Sequence, residues 1–307
     1  MFSVLITTYN GSKYIINQIE SIVNQSYPLD KIYIYDDCST DNTVEKIEEW
    51  ILRNNIPNIV ISRNKENKGY ARNFLEALFK IEDQYVFLSD QDDVWKNDKV
   101  EEYKNAINSI TIKDIPLLVT SGYSVTNEKL TIIKDCHIFV KGMKLVKLKS
   151  FLKDCSYPGM TFCINKNLIK LAKDIYNPKY VAFHDYFLSL LAIGYGKMIC
   201  LQKRCVLYRQ HKNNQIGAAG IKEKSSAHWQ KVLEQKKKES ETAIFCLPKN
   251  TYIKKRYAFI NKRIKWFHQK NIILISINII RYLYFYDLKS YVADLYYCVF
   301  IKKEVTR

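Results

Sequence analysis

In the first ninety residues, short apolar runs alternate with stretches whose apolar residues recur every three or four positions, and three of the runs end in a polar cluster. Ser3–Thr7 is a short apolar run that predicts a buried strand, and Ile32–Tyr35, Ile59–Ser62 and Tyr85–Ser89 predict three further strands. Ile15, Ile19 and Ile22 keep helical spacing as far as Gln25, and Pro28 ends that segment. Ser39-Thr40-Asp41 caps a second helix with the stripe Val44, Ile47 and Ile51, and a third helix covers Tyr70–Ile81. A helix between each pair of successive strands implies parallel pairing in a doubly wound α/β sheet. Ligands of such sheets sit at the carboxyl ends of the strands. Those ends carry Thr7-Thr8-Tyr9-Asn10, Asp36-Asp37 and Asp90-Gln91-Asp92-Asp93.

Beyond residue 110 the pattern is less regular. Leu117–Ser121, Met160–Ile164, Met198–Leu201 and Cys205–Tyr208 read as strands, and His184–Ile193 as a buried helix. After Gly217-Ala218-Ala219-Gly220 the composition changes. Residues 216–307 carry 19 Lys/Arg against 7 Asp/Glu, so most of the net charge of +17 lies there. Ile253, Tyr257, Ile260, Ile264 and Phe267 form a helical stripe with Lys254, Lys255, Lys262, Arg263 and Lys265 on other faces. Residues 272–301 are rich in Ile, Leu, Tyr and Phe but never reach the ~18–20 uninterrupted apolar residues of a bilayer span. The boundary is expected near residue 217, with a catalytic region over 1–217 and a basic, aromatic-rich helical extension over 218–307. The eight cysteines show no paired spacing, which favours reduced thiols and a cytoplasmic protein. The opening apolar run is too short for a signal sequence.

Three carboxylates within four residues, directly after an apolar strand, repel one another and call for a cation or strong donors. Mg²⁺ or Mn²⁺ held by one or two carboxylates together with substrate phosphates fits that need. The alternative is a solvated acidic turn, against which stand the strand-end position and the bulky Val94-Trp95. Asp36-Asp37 is more than a helix cap requires, and one of the two acids could accept hydrogen bonds from a nucleobase or ribose.

Taken with Val4-Leu5-Ile6-Thr7-Thr8-Tyr9-Asn10, these clusters resemble family 2 glycosyltransferases, and most closely the bacterial rhamnosyltransferase-like subgroup with an Asp-Gln-Asp-Asp segment. The likeness continues through Asn67-Lys68-Gly69, Gly159-Met160-Thr161, His184-Asp185 and Tyr208-Arg209-Gln210-His211, covering residues 1–217 in order. It implies a GT-A-type, Rossmann-like mixed sheet flanked by helices. It also implies an inverting transfer from a UDP- or dTDP-linked sugar to a glycan or lipid-linked acceptor, in cell-surface polysaccharide synthesis. By the same likeness Thr8, Tyr9 and Asp37 line the base pocket with Asp36 in support. Asp90 lies near the ribose, Asp92 binds the metal and Asp93 stands behind it. Asp185 is the catalytic base, and His211 ligates the metal or contacts phosphate. Asp185 taken alone is also a helix-start acid favoured by the dipole. His184 taken alone is an ordinary structural histidine, of interest as the neighbour of Asp185. Arg209 fits a phosphate or a core carboxylate equally.

The first strand is followed by Thr-Thr-Tyr-Asn-Gly and not by Gly-x-Gly-x-x-Gly, which argues against a nicotinamide-dependent oxidoreductase. A sugar-nucleotide pyrophosphorylase would carry a Gly-rich basic loop at that point. The basic, tyrosine-rich tail motivates a nucleic-acid-binding alternative. Its apolar faces exceed those of a basic arm, so a peripheral membrane surface is the expected partner and nucleic acid is not.

Overall fold

The computed structural model describes residues 1–111, 114–136, 143–153, 157–212, 214 and 226–299. The chain divides into two compact units. The first comprises Met1–Val146, Tyr157–Pro178 and Phe183–Ala218, and the second comprises Lys147–Ser156, Lys179–Ala182 and Ala219–Arg307.

The first unit is built on one mixed sheet. Its opening part runs β1 (Phe2–Thr8), α1 (Ile15–Val23), β2 (Lys31–Asp36), α2 (Thr43–Asn54), β3 (Ile59–Arg63), α3 (Tyr70–Leu78) and β4 (Tyr85–Ser89). A short β5 (Val94–Trp95) and α4 (Lys99–Asn108) follow, then β6 (Leu117–Thr126), β7 (Ile132–Cys136) and β8 (Met143–Leu145). Helix α5 (Leu148–Lys153) belongs to the second unit. The first unit resumes with a 3-10 turn at Gly159–Thr161, β9 (Cys163–Asn165), α6 (Lys166–Ile175), α7 (His184–Tyr195) and β10 (Lys197–Arg209).

The strands lie in the order β3-β2-β1-β4-β9-β6-β10-β5, with β7 on β6 and β8 on β10. The first four pair in parallel, as their intervening helices require. The sheet as a whole is mixed, because β9 runs antiparallel between β4 and β6. Ile15, Ile19 and Ile22, the stripe read from the sequence, are buried in the core beneath β1 and β2. Order reverses at β1, whose neighbours β2 and β4 lie on opposite sides, so the loops after these strands diverge and leave a crevice at their carboxyl ends.

Two expected elements differ. Met198–Leu201 and Cys205–Tyr208 are one strand, β10, paired with β6 through register shifts between Leu201 and Arg204 and between Arg204 and Val206. Such bulges insert unpaired residues without ending the ladder. Met160 lies in the 3-10 turn and not in a strand, and β9 begins only at Cys163.

The second unit is helical. Alongside α5 it contains α8 (Ser226–Cys246), α9 (Thr251–His268), α10 (Ile272–Ile277), α11 (Ile279–Phe285) and α12 (Leu288–Val299). Asn250 and Asn271 cap α9 and α10 by accepting from the amides of Ile253 and Leu274. Its core joins Leu233, Phe259, Ile260, Trp266 and Phe267 to Ile275, Tyr282, Phe285 and Tyr286. Phe151 and Leu152 of α5 are buried, and the Leu152 carbonyl accepts from Arg256 Nη2 at 2.9 Å.

Within that core Asp294 is fully enclosed. It accepts from Arg263 Nε and Nη2 at 3.0 and 3.1 Å, from Trp229 Nε1 at 2.8 Å and from the Tyr282 hydroxyl. This placement corrects one expectation. Ile253, Ile260 and Phe267 are core residues, Tyr257 and Ile264 pack against that core, and Arg263 is a buried ion-pair partner. The α9 stripe is therefore spent on packing inside the unit.

Candidate active site

A cleft of about 970 Å³ opens at the carboxyl ends of β1, β2 and β4 in the first unit. The parallel register sets Thr8 of β1 level with Asp36 of β2, and Ile6 level with Ser89 of β4, so the three polar clusters converge there. Thr8, Tyr9, Asp37, Asp90, Asp92, His184, Asp185 and His211 all line the cleft. Asp36, Asp93 and Arg209 are buried outside its lining.

Each outer side chain has identifiable work. Asp36 accepts from the Ser39 amide at 2.9 Å and from the Ser39 hydroxyl, and pairs with Arg63 at 3.4 Å, so it fixes the turn after β2. Asp37 accepts from the amides of Lys68 and Gly69 at 2.9 and 2.8 Å and from Asn64 Nδ2 at 2.8 Å. It thereby holds the Asn67-Lys68-Gly69 turn against the cleft while presenting one edge to it. Gly69 has φ 78°, a left-handed conformation that favours glycine.

The acidic segment after β4 is shaped by a two-residue ladder. Val94 and Trp95 of β5 pair antiparallel with Leu207 and Val206 of β10, so the residues before β5 meet those following Leu207. Asp92 Oδ2 and His211 Nε2 accordingly stand 2.8 Å apart. His211 is also held by its amide bond to Asn214 and lies against the ring of Tyr14, with centroids 4.6 Å apart. Among the described residues the Arg209 guanidinium pairs with no carboxylate. It donates from Nε to the Asp92 carbonyl at 2.9 Å and from Nη1 to the Glu128 carbonyl at 2.7 Å, bracing the loop from behind. Its backbone amide donates to Asp93 Oδ1 at 3.3 Å.

The electrostatics follow from enclosure. Burial, with the charges of Asp92 and Asp185, pushes the Asp90 carboxyl well above the usual carboxylate range. Burial, with Asp92 and Asp90, does the same to Asp93, whose Oδ2 has no hydrogen-bond partner among the described residues. Lys99 lies beneath them, fully buried over the Trp95 ring and donating to the Met160 carbonyl at 2.9 Å, and burial brings its ammonium down to about 7.

Asp185 occupies the first turn of α7, where Oδ1 accepts from the Tyr186 amide at 2.7 Å. Its charge is near enough to act on Asp90 and on Tyr70, whose hydroxyl is pushed up to about 12 chiefly by burial. His184 is stacked on Phe74 at 4.3 Å, and burial lowers its imidazole to about 3, so the ring is neutral near pH 7. Neither ring nitrogen has a hydrogen-bond partner among the described residues. A β-carbon on Gly159 would come within 2.5 Å of His184 Nε2, which explains the glycine.

Sequence reasoning missed Gln91, Tyr14 and Lys99. Gln91 Oε1 accepts from the Thr8 hydroxyl at 2.7 Å and the Tyr9 amide at 2.8 Å, while Nε2 donates to the Tyr9 carbonyl at 3.2 Å. A side chain on Gly11 would collide with this carboxamide. Gln91 is thus the clasp between the loops after β1 and β4. The only signal for it was its place between acids.

Among the described residues no three His, Cys, Asp or Glu side chains gather as a ready-made metal cage. Asp92 and His211 form a two-group donor set, one carboxylate oxygen and one imidazole nitrogen. Such a set fits a cation that completes its shell with water and phosphate oxygens.

The family model for glycosyl transferase family 2 matches residues 3–114. The dTDP-rhamnosyl transferase RfbG of Shigella flexneri is 34% identical over 224 residues, which is 69% of this chain and 73% of that relative. The chain belongs to glycosyl transferase family 2. This family 2 glycosyltransferase also resembles two solved structures. One is Staphylococcus aureus TarS 1-349 in complex with UDP-GlcNAc, with a TM-score of 0.58, 22% identity and coverage of 78% of this chain and 66% of that one. The other is the mannosyltransferase PcManGT from Pyrobaculum calidifontis in complex with GDP-Man and Mn²⁺, with a TM-score of 0.55, 15% identity and coverage of 97% and 83%. Both support the GT-A-type sheet with a helical C-terminal region. The enzyme spans just under two thirds of the TarS chain.

Proposed function

We propose that this glycosyltransferase transfers a sugar, with inversion, from a pyrimidine nucleoside-diphosphate donor to a hydroxyl of a glycan or lipid-linked acceptor in cell-surface polysaccharide synthesis. It would do so at the inner face of the cell membrane. The observation that carries the reading is the convergence of Asp37, the Asp92–His211 pair and Asp185 on one cleft at the sheet's switch point. Its volume suits a nucleotide-sized ligand. The likeness to a dTDP-rhamnosyl transferase favours a dTDP-linked sugar over a UDP-linked one.

In this mechanism Thr8, Tyr9 and Asp37 receive the base and Asp90 the ribose. Enclosure raises the Asp90 carboxyl, so it carries less negative charge beside the diphosphate than an ordinary carboxylate would. Asp92 and His211 would hold Mn²⁺ or Mg²⁺, which when bound supplies positive charge to the departing diphosphate. The imidazole favours Mn²⁺, since Mg²⁺ prefers an all-oxygen shell. Asp185 takes the proton of the acceptor hydroxyl as that oxygen attacks the anomeric carbon. The bond from that carbon to the diphosphate oxygen breaks on the opposite side, which inverts the centre without a covalent enzyme intermediate. Arg209, Asp93 and Gln91 keep the loops in place. His184, neutral and stacked on Phe74 next to Asp185, packs the wall of the cleft behind the base.

The nucleic-acid reading rests on the charge and tyrosine content of residues 216–307, whereas the cleft is lined with carboxylates that repel a polyanion. Nucleotide release from a panel of UDP-, dTDP- and GDP-linked sugars tests the proposal. Release from a pyrimidine donor that rises with Mn²⁺ is expected. Turnover confined to GDP-sugars, or unaffected by chelation, would refute the donor or the metal assignment.

A further inference from the structure

The second unit turns two apolar stripes to solvent. On α10 and α11, Ile273, Ile277, Ile280 and Tyr284 recur at spacings of four, three and four, and the three isoleucines are 74%, 68% and 78% exposed. On α12, Leu288, Val292, Tyr296 and Val299 recur in the same way and are exposed as well. The opposite faces of these helices supply Ile275, Tyr282, Phe285 and Cys298 to the core shared with α9. Both stripes therefore point away from that core, and α12 packs against α10 and α11. A helix on a water-facing surface puts polar residues outward. Here the inward and outward faces are both apolar, which needs a second apolar medium.

Charge identifies that medium. Lys270, Arg281 and Lys289 are exposed beside the stripes, against Asp287, while Asp294 is buried and neutralised by Arg263. Residues 216–307 carry a net charge of +12. A second copy of the chain would bring the same positive charge, and the copies would repel. An anionic lipid surface attracts the cations and accepts the aliphatic side chains, with tyrosines suited to the headgroup level. No described helix is long and apolar enough to cross a membrane, so the helices would lie in the interface.

We infer that the outward faces of α10, α11 and α12 form a docking surface for an anionic bilayer, inserting Ile273, Ile277 and Ile280 of one stripe and Leu288 and Val292 of the other. This rests on the peripheral placement proposed above and adds the side chains that make the contact.

The test is co-sedimentation of the full chain with vesicles of phosphatidylcholine alone or with phosphatidylglycerol, at low and high salt. It compares the natural sequence with I277E/I280E and L288E/V292E. Wild-type binding to the phosphatidylglycerol vesicles, weakened by salt, is expected. Each double variant should bind them more than about tenfold less tightly, since it removes inserted groups and adds repelled anions. All four positions face solvent, so circular dichroism and the unfolding midpoint of each variant should match wild type. If wild type binds these vesicles and folded variants bind equally, this face is not the contact, although the peripheral placement stands. If wild type ignores both vesicles, the placement and the face fail together. A wild-type dimer that ignores vesicles and is split by the glutamates would make the face a self-association surface and overturn the inference.

Discussion

Replacing Gln91 by Leu should weaken nucleotide binding with little loss of fold. The carboxamide clasps the loops after β1 and β4 together, through one bond to the buried Thr8 hydroxyl and two to the exposed Tyr9 backbone. A buried neutral bond is worth about 1 kcal/mol net, and the two exposed bonds about 0.5 kcal/mol each. The loop around Thr8–Asn10 thus loses about 2 kcal/mol of its ordering. If Thr8 and Tyr9 receive the base, that cost is recovered from binding energy. At roughly 1.4 kcal/mol per tenfold, affinity for free dTDP or UDP should fall about 30-fold. Titration calorimetry without metal isolates this effect from the Asp92–His211 pair, and urea unfolding checks that global stability changes little. A Kd within threefold of wild type, with the fold intact, would show that the clasp does not organise the base site.

Four further substitutions probe other parts. Asp92→Asn removes the carboxylate charge proposed to hold the cation but can keep the bond to His211. It should reduce Mn²⁺-dependent donor binding by at least the ~10–100-fold that losing a supporting group costs at metal sites, and full Mn²⁺ enhancement in calorimetry would dismiss the assignment. Asp185→Asn should lower kcat by about 10²–10⁴-fold with donor affinity nearly unchanged, and near-normal turnover would move the base elsewhere. Asp294→Ala leaves the Arg263 guanidinium buried without its anion and should cost about 3–5 kcal/mol in chemical denaturation, so a loss under about 1 kcal/mol would refute the ion-pair argument. Finally, His184 binds its proton far less readily folded, at about 3, than in an unfolded chain, near 6.5. Between those values the unfolded state holds more protons, so stability should fall as pH drops below about 6.5, and His184→Phe should flatten that slope. An unchanged slope in urea titrations would count against a buried neutral imidazole.

The first four strands were legible because each is an apolar run closed by turn or polar residues, and burial confirms the pattern in β1, β2 and β4 at Val4, Ile6, Ile34 and Phe87, whereas β3 lies half-exposed at the sheet edge. The later sheet was less so, for physical reasons. β5 is two residues long and has no period to read. β7 and β8 are largely exposed, so no burial rhythm marks them. β10 looked like two strands because the polar stretch Gln202-Lys203-Arg204 in its bulge resembles a turn. Of the site, Thr8, Asp37, Asp92, Asp185 and His211 could be picked out from motif order. The division of labour between cleft-lining and bracing groups could not. Gln91 acts on residues 82 and 83 positions away, and Lys99 reads as an ordinary helix lysine until the ring of Trp95 is placed under it. Periodicity showed that α9 has an apolar face but carried no information on what covers it.

The membership of α5 in the second unit has a consequence during synthesis. Phe151 and Leu152 leave the ribosome about a hundred residues before α9, whose Arg256 holds the Leu152 carbonyl. At ~5–20 residues per second, those two side chains wait roughly 5–20 s for their partner helix. In that interval they are exposed apolar groups of the kind chaperones bind. A chain stopped at residue 217 never ends the wait, because α8 to α12 are not made. The sheet-bearing unit and the helical unit are therefore not separable by a single cut in the sequence, and a form shortened at that point should gain solubility from polar replacements at Phe151 and Leu152.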